Sequence, residues 1–354
     1  MTSKQPTAGV VSRERLTALT VDALCALGLN RGDATDAATI LVLADLFGLR
    51  THGTSRIESY GERLRIGGIN PTPSFNVEQV APALYRLDGD NGVGPLVGFR
   101  ALEVAMKAAR SNGIACVFVR GSNHFGPVSP YSYIAAQQGF ASIIGSNATT
   151  TIAPWGGTDA RLGNSPVGFG VPNPGGRPFI LDMAISVAAR AKIRNALKRG
   201  ESIPSTWATD EHGKPTTDPK AALDGFLLPI GGHKGYGLAL IVDLLAGLLS
   251  GAAYLTHVKS WVDDPEQPQN LGHFYILIDT ALLGNSEWLA ARMTDYAAIL
   301  HGSAPADPDA PVLVPGEIEL NQYDRQLVDG INIGAEQLAM LEATAVGKFQ
   351  TLPG

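Results

Sequence analysis

The sequence predicts an α/β protein with helical segments at both ends of the chain and strands between them. Residues 12–29 repeat apolar side chains with a helical period, and residues 335–348 form the clearest helix near the C-terminus. Between them, residues 113–182 alternate short β-branched runs with glycine-rich turns, which is typical of strands. The 41 glycines and 23 prolines are spread along the chain and indicate many ordered turns.

Length and composition narrow the class of protein. The 354 residues, 45% hydrophobic and 17% charged, suffice for two or three domains with a large core. The formal net charge is −6 and no block of Lys or Arg occurs, so no nucleic-acid partner is expected. The N-terminus is polar, so no signal peptide is expected, and Cys25 and Cys116 are expected to be buried, reduced thiols of a cytoplasmic protein.

One segment, residues 235–255, is almost wholly apolar and resembles a membrane span in composition. It contains Asp243 and several glycines and is of marginal length, which favours a fully buried helix. No membrane association is therefore expected.

The elements of the N-terminal part are predicted in chain order as three helices. They cover residues 12–29, the stretch from Asp33 as N-cap to about residue 50, and residues 54–66. The stretch GGINPTP at residues 67–73 stops the third helix. Residues 1–75 are predicted to be the N-terminal portion of a helical, substrate-binding domain.

A connecting unit at residues 76–112 follows, with strands at 76–80 and 83–87 and a helix at 95–111. The stretch GVGPLVG at residues 92–98 is the nearest match to a dinucleotide-binding turn. The strand before it is short, and the acidic residue expected about twenty positions later is missing. An ordinary capped helix is predicted here, not a Rossmann unit.

Residues 113–302 are predicted to alternate strands with helices. Strands are expected at residues 114–119, 141–145, 167–171, 178–181 and 271–278, and helices at 131–138, 184–199, 220–223, 235–250 and 286–301. A linker rich in proline and alanine, residues 303–311, separates them from C-terminal helices at residues 312–354.

A first group of polar side chains follows the second helix, in Thr51-His52-Gly53, Arg56 and Tyr60. Positions 52, 56 and 60 are spaced by four residues and share one face of a predicted helix. An arginine beside a histidine suits an anionic substrate, because the guanidinium can bind a carboxylate through two hydrogen bonds while the imidazole transfers a proton. The alternative is a surface histidine beside a solvated arginine.

A second group is the stretch GSNHFG at residues 121–126, which places His124 on a glycine-flanked loop after a strand. Such loops commonly carry reaction centres. Asp182, at a strand-to-helix junction, either caps that helix or orients a histidine. Lys234, in GGHKGYG at residues 231–237, marks either an anion site at a helix start or a tight turn.

Two kinds of catalytic site find no support in the sequence. The seven histidines lack the spacing of metal ligands, so no metal site is expected. No Gly-x-Ser-x-Gly occurs, which argues against a serine hydrolase.

Taken in this order, the motifs resemble the type-2 malate/L-lactate dehydrogenase family of NAD(P)-dependent oxidoreductases. That family includes ureidoglycolate dehydrogenase, sulfolactate dehydrogenase and Δ1-piperideine-2-carboxylate reductase. The matching stretches, which lie within residues 12–348, are THG (51–53) with Arg56 and Tyr60, SNHFG (122–126), APWGG (153–157), LGNSP (162–166), LDMA (181–184), TTDP (216–219), GGHKGYG (231–237), GHF (272–274) and PGE (315–317).

The resemblance implies a non-Rossmann fold. Its NAD(P)-binding domain, here residues 113–302, has a mixed, largely antiparallel sheet, and the two chain ends join in a helical domain. It also implies a homodimer whose active site lies near the domain and subunit interfaces.

The resemblance also implies roles for individual residues. His124 or His52 is the catalytic acid/base, and the version centred on His52 adds Thr51 and Asp182 as relay partners. Thr51 replaces a serine of the family pattern and keeps its hydroxyl. Substrate binding is assigned to Arg56 and Tyr60. The residues expected to contact the cofactor are Asn123, Phe125, Asn147, Asp182, Met183, Ala184, Lys234 and Glu317.

The function expected from this resemblance is hydride transfer between NAD or NADP and C2 of a small 2-hydroxy or 2-oxo carboxylate. A ketimine reductase acting on cyclic 2-imino acids is the alternative within the same class. A non-catalytic binding protein that shares the fold is the alternative from another class. The identity of the acid and the choice of coenzyme are left open.

Overall fold

The computed structural model describes residues 9–349. Its strands are β1 (Val10–Val11), β2 (Asn76–Ala81), β3 (Leu84–Asp88), β4 (Ile114–Ser122), β5 (Phe140–Ser146), β6 (Thr150–Ile152), β7 (Leu162–Gly163), β8 (Val167–Val171), β9 (Phe179–Met183), β10 (Leu271–Asp279) and β11 (Ile331–Asn332). Its α-helices are α1 (Arg13–Ala26), α2 (Arg31–Leu46), α3 (Ile57–Arg65), α4 (Gly94–Asn112), α5 (Ser129–Gln137), α6 (Arg190–Arg199), α7 (Pro219–Asp224), α8 (His233–Asp243), α9 (Ser286–His301), α10 (Glu317–Asp329) and α11 (Ala335–Ala345).

The centre of the molecule is a seven-stranded sheet with the order β2-β3-β4-β10-β5-β8-β9. Only the pair β3–β4 is parallel, and the other five pairs of neighbours are antiparallel. Strand β10 is almost wholly buried, which explains its continuous apolar sequence. The prediction of a mixed, largely antiparallel sheet is confirmed, and α4 after the glycine-rich stretch is an ordinary helix packed on β4.

The two ends of the chain meet in a helical layer. Helix α1 packs against α2 and α11, and β1 pairs with β11 in an antiparallel two-stranded ribbon. Ser12 caps α1 by accepting a hydrogen bond from the Arg15 backbone N–H. The cap of α2 is Asn30 rather than Asp33, because the Asn30 side chain accepts from the Asp33 N–H at 3.0 Å.

Two predicted helices differ from the observed ones, because contacts with distant parts of the chain replace local helical hydrogen bonds. The helix expected from residue 184 begins only at Arg190, since Ile185 and Val187 donate backbone hydrogen bonds to Asn164 and Leu228 in an extended conformation. The helix expected over residues 235–250 is α-helical to Asp243 and continues as a π-helical turn, Leu244–Leu248.

The apolar segment at residues 235–255 is not fully buried, contrary to prediction. Five of its aliphatic side chains are 43–56% exposed, namely Leu238, Ile241, Leu244, Leu248 and Leu249. Within residues 9–349, no helix has the length and apolar character needed to cross a membrane.

Helices α4 and α5 lie between the sheet and the helical layer, and both contact α2. The chain after α2 therefore faces the ends of β4 and β5. The polar motifs of the sequence converge at this junction.

Candidate active site

A cleft of about 380 Å³ lies where the segment after α2 meets the ends of β4, β5 and β9 and the loop before β10. Its lining residues are Leu49, His52, Arg56, His124, Phe125, Gly126, Pro127, Ser146, Asn147, Ala148, Thr149, Thr151, Asn164, Pro166, Asp182, Ala184, Trp261, Gln269, Leu271 and Glu319. Three other concavities of the described chain, of about 200–390 Å³, do not combine a histidine with an arginine. The histidines and the arginine that the sequence marked as candidate site residues therefore lie together in this cleft.

His52 lies on a tightly tied turn rather than on a continuous helix. Two 3₁₀ turns, Arg50–His52 and Thr54–Arg56, precede α3 and are separated by Gly53. The buried Asp45 carboxylate accepts from the Thr54 N–H at 2.9 Å, and a Cβ at Gly53 would lie 2.1 Å from Asp45 Oδ1. The single helical face predicted for positions 52–60 is thus interrupted, because this turn requires a glycine.

His124 lies on the loop after β4, whose glycines Gly121 and Gly126 have φ of +64° and +83°. This backbone conformation favours glycine, as the motif suggested. The Tyr60 hydroxyl lies 2.8 Å from His124 Nδ1 and 3.1 Å from the His124 carbonyl oxygen. The His124 ring lies 5.5 Å from the His52 ring, so the two histidine motifs share one site.

The protein environment favours neutral imidazoles in the cleft. Burial, reinforced by the Arg56 charge, lowers the pKa of His52 to about 4. Burial also lowers the pKa of His124 well below its usual value, with smaller contributions from Arg56, His52 and His273. Burial raises the pKa of Tyr60, so its hydroxyl keeps the proton that it donates in hydrogen bonds.

Arg56 presents an unused hydrogen-bond donor at the cleft. Its Nε is enclosed and has no hydrogen-bond partner within residues 9–349. Its guanidinium carbon lies 5.0 Å from the centre of the Trp261 ring. An enclosed guanidinium without a carboxylate partner fits an anionic ligand, since an unpaired buried charge is costly.

Asp182 lies in the cleft but forms no hydrogen bond with His52 or His124 in the described part of the chain. Its carboxylate instead accepts from the Ser129 N–H at 2.8 Å, at the start of α5. It therefore caps α5 and not the helix that follows it in sequence, and burial raises its pKa. The relay geometry that would make Asp182 a direct partner of His52 is not present here.

The other expected cofactor contacts divide into residues that line the cleft and residues that support it. Phe125, Asn147 and Ala184 line it. Asn123 is fully buried, and its amide oxygen accepts from Arg63 at 2.8 Å. Met183 packs partly buried against the apolar core on the far side of β9.

Besides Asn123 and Met183, four further expected site residues do not line the cleft. Thr51 is exposed, and its hydroxyl lies 2.9 Å from His52 Nδ1. Tyr60 is fully buried behind His124. Lys234 is exposed in the first turn of α8, and Glu317 accepts from the Val314 N–H at 2.9 Å and pairs with His301. The glutamate in the cleft is Glu319, two positions farther along α10.

Sequence reasoning missed several residues of the site. Trp261 and Gln269 belong to a loop without a recognisable motif, so no local signal marked them. His273 stood in the matching GHF stretch without a role. Its ring is fully buried, with Nε2 2.7 Å from Ser122 Oγ and Nδ1 2.9 Å from Ser146 Oγ.

The cleft has the chemical character that a nicotinamide requires. The Thr151 hydroxyl is enclosed without a hydrogen-bond partner in the described chain, and Thr149 and Asn164 also line the cleft. Phe125 and Leu271 add an apolar surface. A planar ring that carries an amide needs both kinds of contact.

Comparison with known proteins places these features in a family. The family model for malate/L-lactate dehydrogenase matches residues 11–342. Among relatives, ureidoglycolate dehydrogenase (NAD(+)) of Escherichia coli K12 is 36% identical over 323 residues, which cover 91% of this chain and 92% of that protein.

Solved structures agree with this placement. Malate dehydrogenase from Entamoeba histolytica superposes with a TM-score of 0.90 at 27% identity, covering 98% of this chain and 100% of that one. Δ1-Piperideine-2-carboxylate reductase from Pseudomonas syringae pvar. tomato gives 0.85 at 30% identity, with 95% and 99% covered. Related dehydrogenases are named for NAD(+) and for NADP(+). The chain belongs to the malate/L-lactate dehydrogenase family and is an oxidoreductase that uses NAD or NADP.

Proposed function

We propose that the protein interconverts small 2-hydroxy and 2-oxo carboxylates, with His124 as the group that moves the proton. The observation that carries this proposal is the convergence of Arg56, His52 and His124 in one cleft. When bound, the nicotinamide supplies or accepts the hydride at C2 of the substrate. The residues expected to hold it are Phe125, Asn147 and Ala184, with the Thr151 hydroxyl as a further polar contact.

Arg56 binds the substrate carboxylate. Its unpartnered Nε and the rest of the guanidinium can donate two parallel hydrogen bonds. This pairing fixes C2 relative to the imidazoles, and such orientation contributes strongly to rate. It also compensates the buried positive charge of the guanidinium.

His124 is suited to exchange a proton with the C2 oxygen, because Tyr60 can hold its ring while Nε2 faces the substrate. In the reduction the ring must start protonated: the imidazolium gives its Nε2 proton to the C2 oxygen and is left neutral, with Nδ1–H directed at the Tyr60 hydroxyl. When the hydroxyl donates to the His124 carbonyl oxygen, Nδ1–H can donate to Tyr60, which leaves Nε2 free as a base. Both contacts are within hydrogen-bond distance, at 2.8 and 3.1 Å.

His52 is assigned a supporting role in this scheme. Its Nδ1 is occupied by the Thr51 hydroxyl, and its ring lies beside that of His124. It can therefore donate or accept a second hydrogen bond at the reacting oxygen. Asp182 holds the start of α5 and shapes the cleft without direct contact to either imidazole.

A binding and turnover series tests the proposal. Titration with NADH and with NADPH, followed by nicotinamide fluorescence, is expected to give saturable binding of at least one of them. Loss of reduced-nicotinamide absorbance is then expected with a 2-oxo acid from a panel of pyruvate, oxaloacetate and 4-methyl-2-oxopentanoate. Saturable coenzyme binding without turnover of any 2-oxo acid or cyclic imine would contradict the proposed reaction and support a binding protein.

A ketimine reductase is the second candidate. It is favoured by the likeness to Δ1-piperideine-2-carboxylate reductase and by the apolar lining that Phe125, Trp261 and Leu271 provide for a ring. A kcat/KM for Δ1-piperideine-2-carboxylate at least ten times that for every 2-oxo acid would select it. The reverse ratio would select the hydroxy-acid dehydrogenase.

We also infer a homodimer formed through the exposed face of α8 and the π-helical turn. Leu238, Ile241 and Leu244 on this face are about half exposed in the single chain, and an apolar patch of this kind favours a protein interface. Light scattering after gel filtration is expected to give twice the mass of the chain. Ile241→Glu is expected to shift the protein to the monomer, and a monomeric wild type would contradict the interface.

A further inference from the structure

A single cationic side chain serves the cleft. Arg56 is the one Lys or Arg among the described residues that line it, whereas Asp182 and Glu319 contribute two carboxyl groups. The imidazoles of His52 and His124 add no positive charge at neutral pH, because burial lowers the pKa of both. Once a substrate carboxylate occupies Arg56, the lining offers a second anionic group only neutral and acidic side chains; the next cation, Arg194 of α6, is exposed and acts on Arg56 through its charge alone. In a partly buried site that arrangement is unfavourable.

An indole ring connects the two residues that define the substrate position. The Arg56 guanidinium carbon lies over the Trp261 ring, 5.0 Å from its centre, and the centre of the His124 ring lies 5.1 Å from that of the indole. A substrate whose carboxylate binds Arg56 and whose C2 oxygen faces His124 spans the same two residues. Its C2 substituent is therefore expected to lie against the part of the Trp261 ring that Arg56 and His124 leave uncovered. The face of an indole is apolar with a partial negative charge, so it accepts apolar groups and repels anions.

The loop that carries Trp261 is held from behind by Arg63, which is 2% exposed. The Arg63 guanidinium donates to the Pro265 carbonyl oxygen at 3.0 Å and to Asn123 Oδ1 at 2.8 Å. Since Asn123 precedes His124, one buried side chain ties the Trp261 loop to the His124 loop. The indole is therefore held in place before substrate binds. A side chain that selects substrates by their shape and charge needs such a fixed position.

We propose that Trp261 determines substrate specificity, and that the preferred substrate is a 2-oxo or 2-hydroxy monocarboxylate with an uncharged, apolar side chain rather than a dianion. The inference rests on the proposed reaction and narrows its substrates to those with a single negative charge. It also separates this chain from the relatives that are named malate dehydrogenase, since malate is a dianion.

An isosteric pair of substrates tests the charge preference. 4-Methyl-2-oxopentanoate and oxaloacetate have nearly the same shape, but one ends in an isopropyl group and the other in a carboxylate. The kcat/KM of the wild-type enzyme is expected to be at least about ten times higher for 4-methyl-2-oxopentanoate, as the lost apolar contact and the added charge repulsion together predict. A higher value for oxaloacetate would overturn the proposal.

Variants at residue 261 test the assignment to the indole. Trp261→Ala is expected to lower kcat/KM about tenfold for 4-methyl-2-oxopentanoate and less than threefold for pyruvate, whose methyl group barely reaches the ring. Trp261→Phe keeps an aromatic face and is expected to keep the preference. Trp288→Ala, a matched change on α9 outside the cleft, is expected to change neither value. An equal loss for both substrates in Trp261→Ala would overturn the specificity role.

Two further outcomes are distinguishable. If oxaloacetate is preferred and Arg194→Leu abolishes that preference, the exposed Arg194 of α6 binds the second anion and the proposal is wrong. If no substrate is turned over, the proposed reaction fails. The dissociation constants of the two acids, measured by calorimetry with coenzyme present, then decide the specificity assignment: tighter binding of 4-methyl-2-oxopentanoate supports it and tighter binding of oxaloacetate overturns it.

Discussion

The two histidines of the cleft are held in different ways. His124 is supported by the fully buried Tyr60, whose hydroxyl lies 2.8 Å from its Nδ1, and its ring packs on Trp261. His52 is supported by Thr51, an exposed neighbour in sequence, and its turn is tied down through Asp45. A buried partner from another element fixes a ring more firmly than an adjacent surface hydroxyl. Our proposal that His124 transfers the proton rests on this difference.

Arg56 acts on both histidines, because its charge lowers the pKa of each. Arg56→Leu is expected to lower kcat/KM for 2-oxo acids by about a hundredfold, since two charge-assisted hydrogen bonds to the carboxylate are lost. Most of the loss is expected in KM, measured by steady-state kinetics with saturating coenzyme. Exposed Arg86→Leu on β3 is the matched control, and an unchanged KM in Arg56→Leu would exclude the carboxylate-binding role.

His273, unlike His52 and His124, does not line the cleft. Its protonation is therefore expected to change the stability of the fold without a direct effect on catalysis. Burial lowers its pKa to about 3, so between its ordinary pKa near 6.5 and pH 3 the unfolded chain binds a proton that the folded chain does not. The stability that His273 provides is therefore complete above about pH 6.5 and decreases as the pH falls. Between pH 7 and pH 5 the decrease is about 2 kcal/mol.

Urea denaturation of wild type and His273→Phe at both pH values measures this contribution. The phenylalanine variant can still stack on Phe125, which lies 4.1 Å from the His273 ring, but it has no group to titrate. From pH 7 to pH 5, its free energy of unfolding is expected to decrease by about 2 kcal/mol less than that of the wild type. Identical pH dependence in the two proteins would show that His273 is not held neutral in the fold.

Tyr60→Phe removes the support of His124 while it keeps the packing of the ring. The loss of one buried hydrogen bond predicts a decrease in kcat of about tenfold, with little change in KM. The pH dependence of kcat is expected to change as well, since His124 loses the group that selects its neutral form. A variant with wild-type kcat and pH profile would show that Tyr60 has only a packing role.

Thr51→Val is expected to have the smallest effect. The hydroxyl of Thr51 is exposed and competes with water for His52 Nδ1, so its loss predicts less than a threefold change in kcat. Thr51→Ser, which retains the hydroxyl, serves as the control. A decrease of a hundredfold in the valine variant would instead support a relay centred on His52.

Local sequence signals located most of the helices and strands and part of the site, whereas the antiparallel sheet and the joining of the two chain ends were predicted from the family resemblance. Strand β8 has the predicted bounds, and Gly121 and Gly126 mark the His124 loop because their positive φ requires glycine. The interruption at Gly53 was missed because it depends on contact with Asp45, which lies in α2. Of the two alternatives for Asp182, the cap of the following helix was wrong for the same reason, since its carboxylate accepts from the Ser129 N–H at the start of α5 instead. Trp261 carries no motif and becomes visible only when its loop folds over Arg56.

The most direct test of the difference between the two histidines is the kcat for a common 2-oxo acid in His124→Gln and His52→Gln, measured side by side at saturating coenzyme. General acid–base catalysis typically contributes about 10² to 10⁴ in rate, so His124→Gln is expected to lose at least about a hundredfold. His52→Gln, which can still donate a hydrogen bond, is expected to lose about tenfold or less. A larger loss in His52→Gln than in His124→Gln would contradict the assignment and place proton transfer at His52.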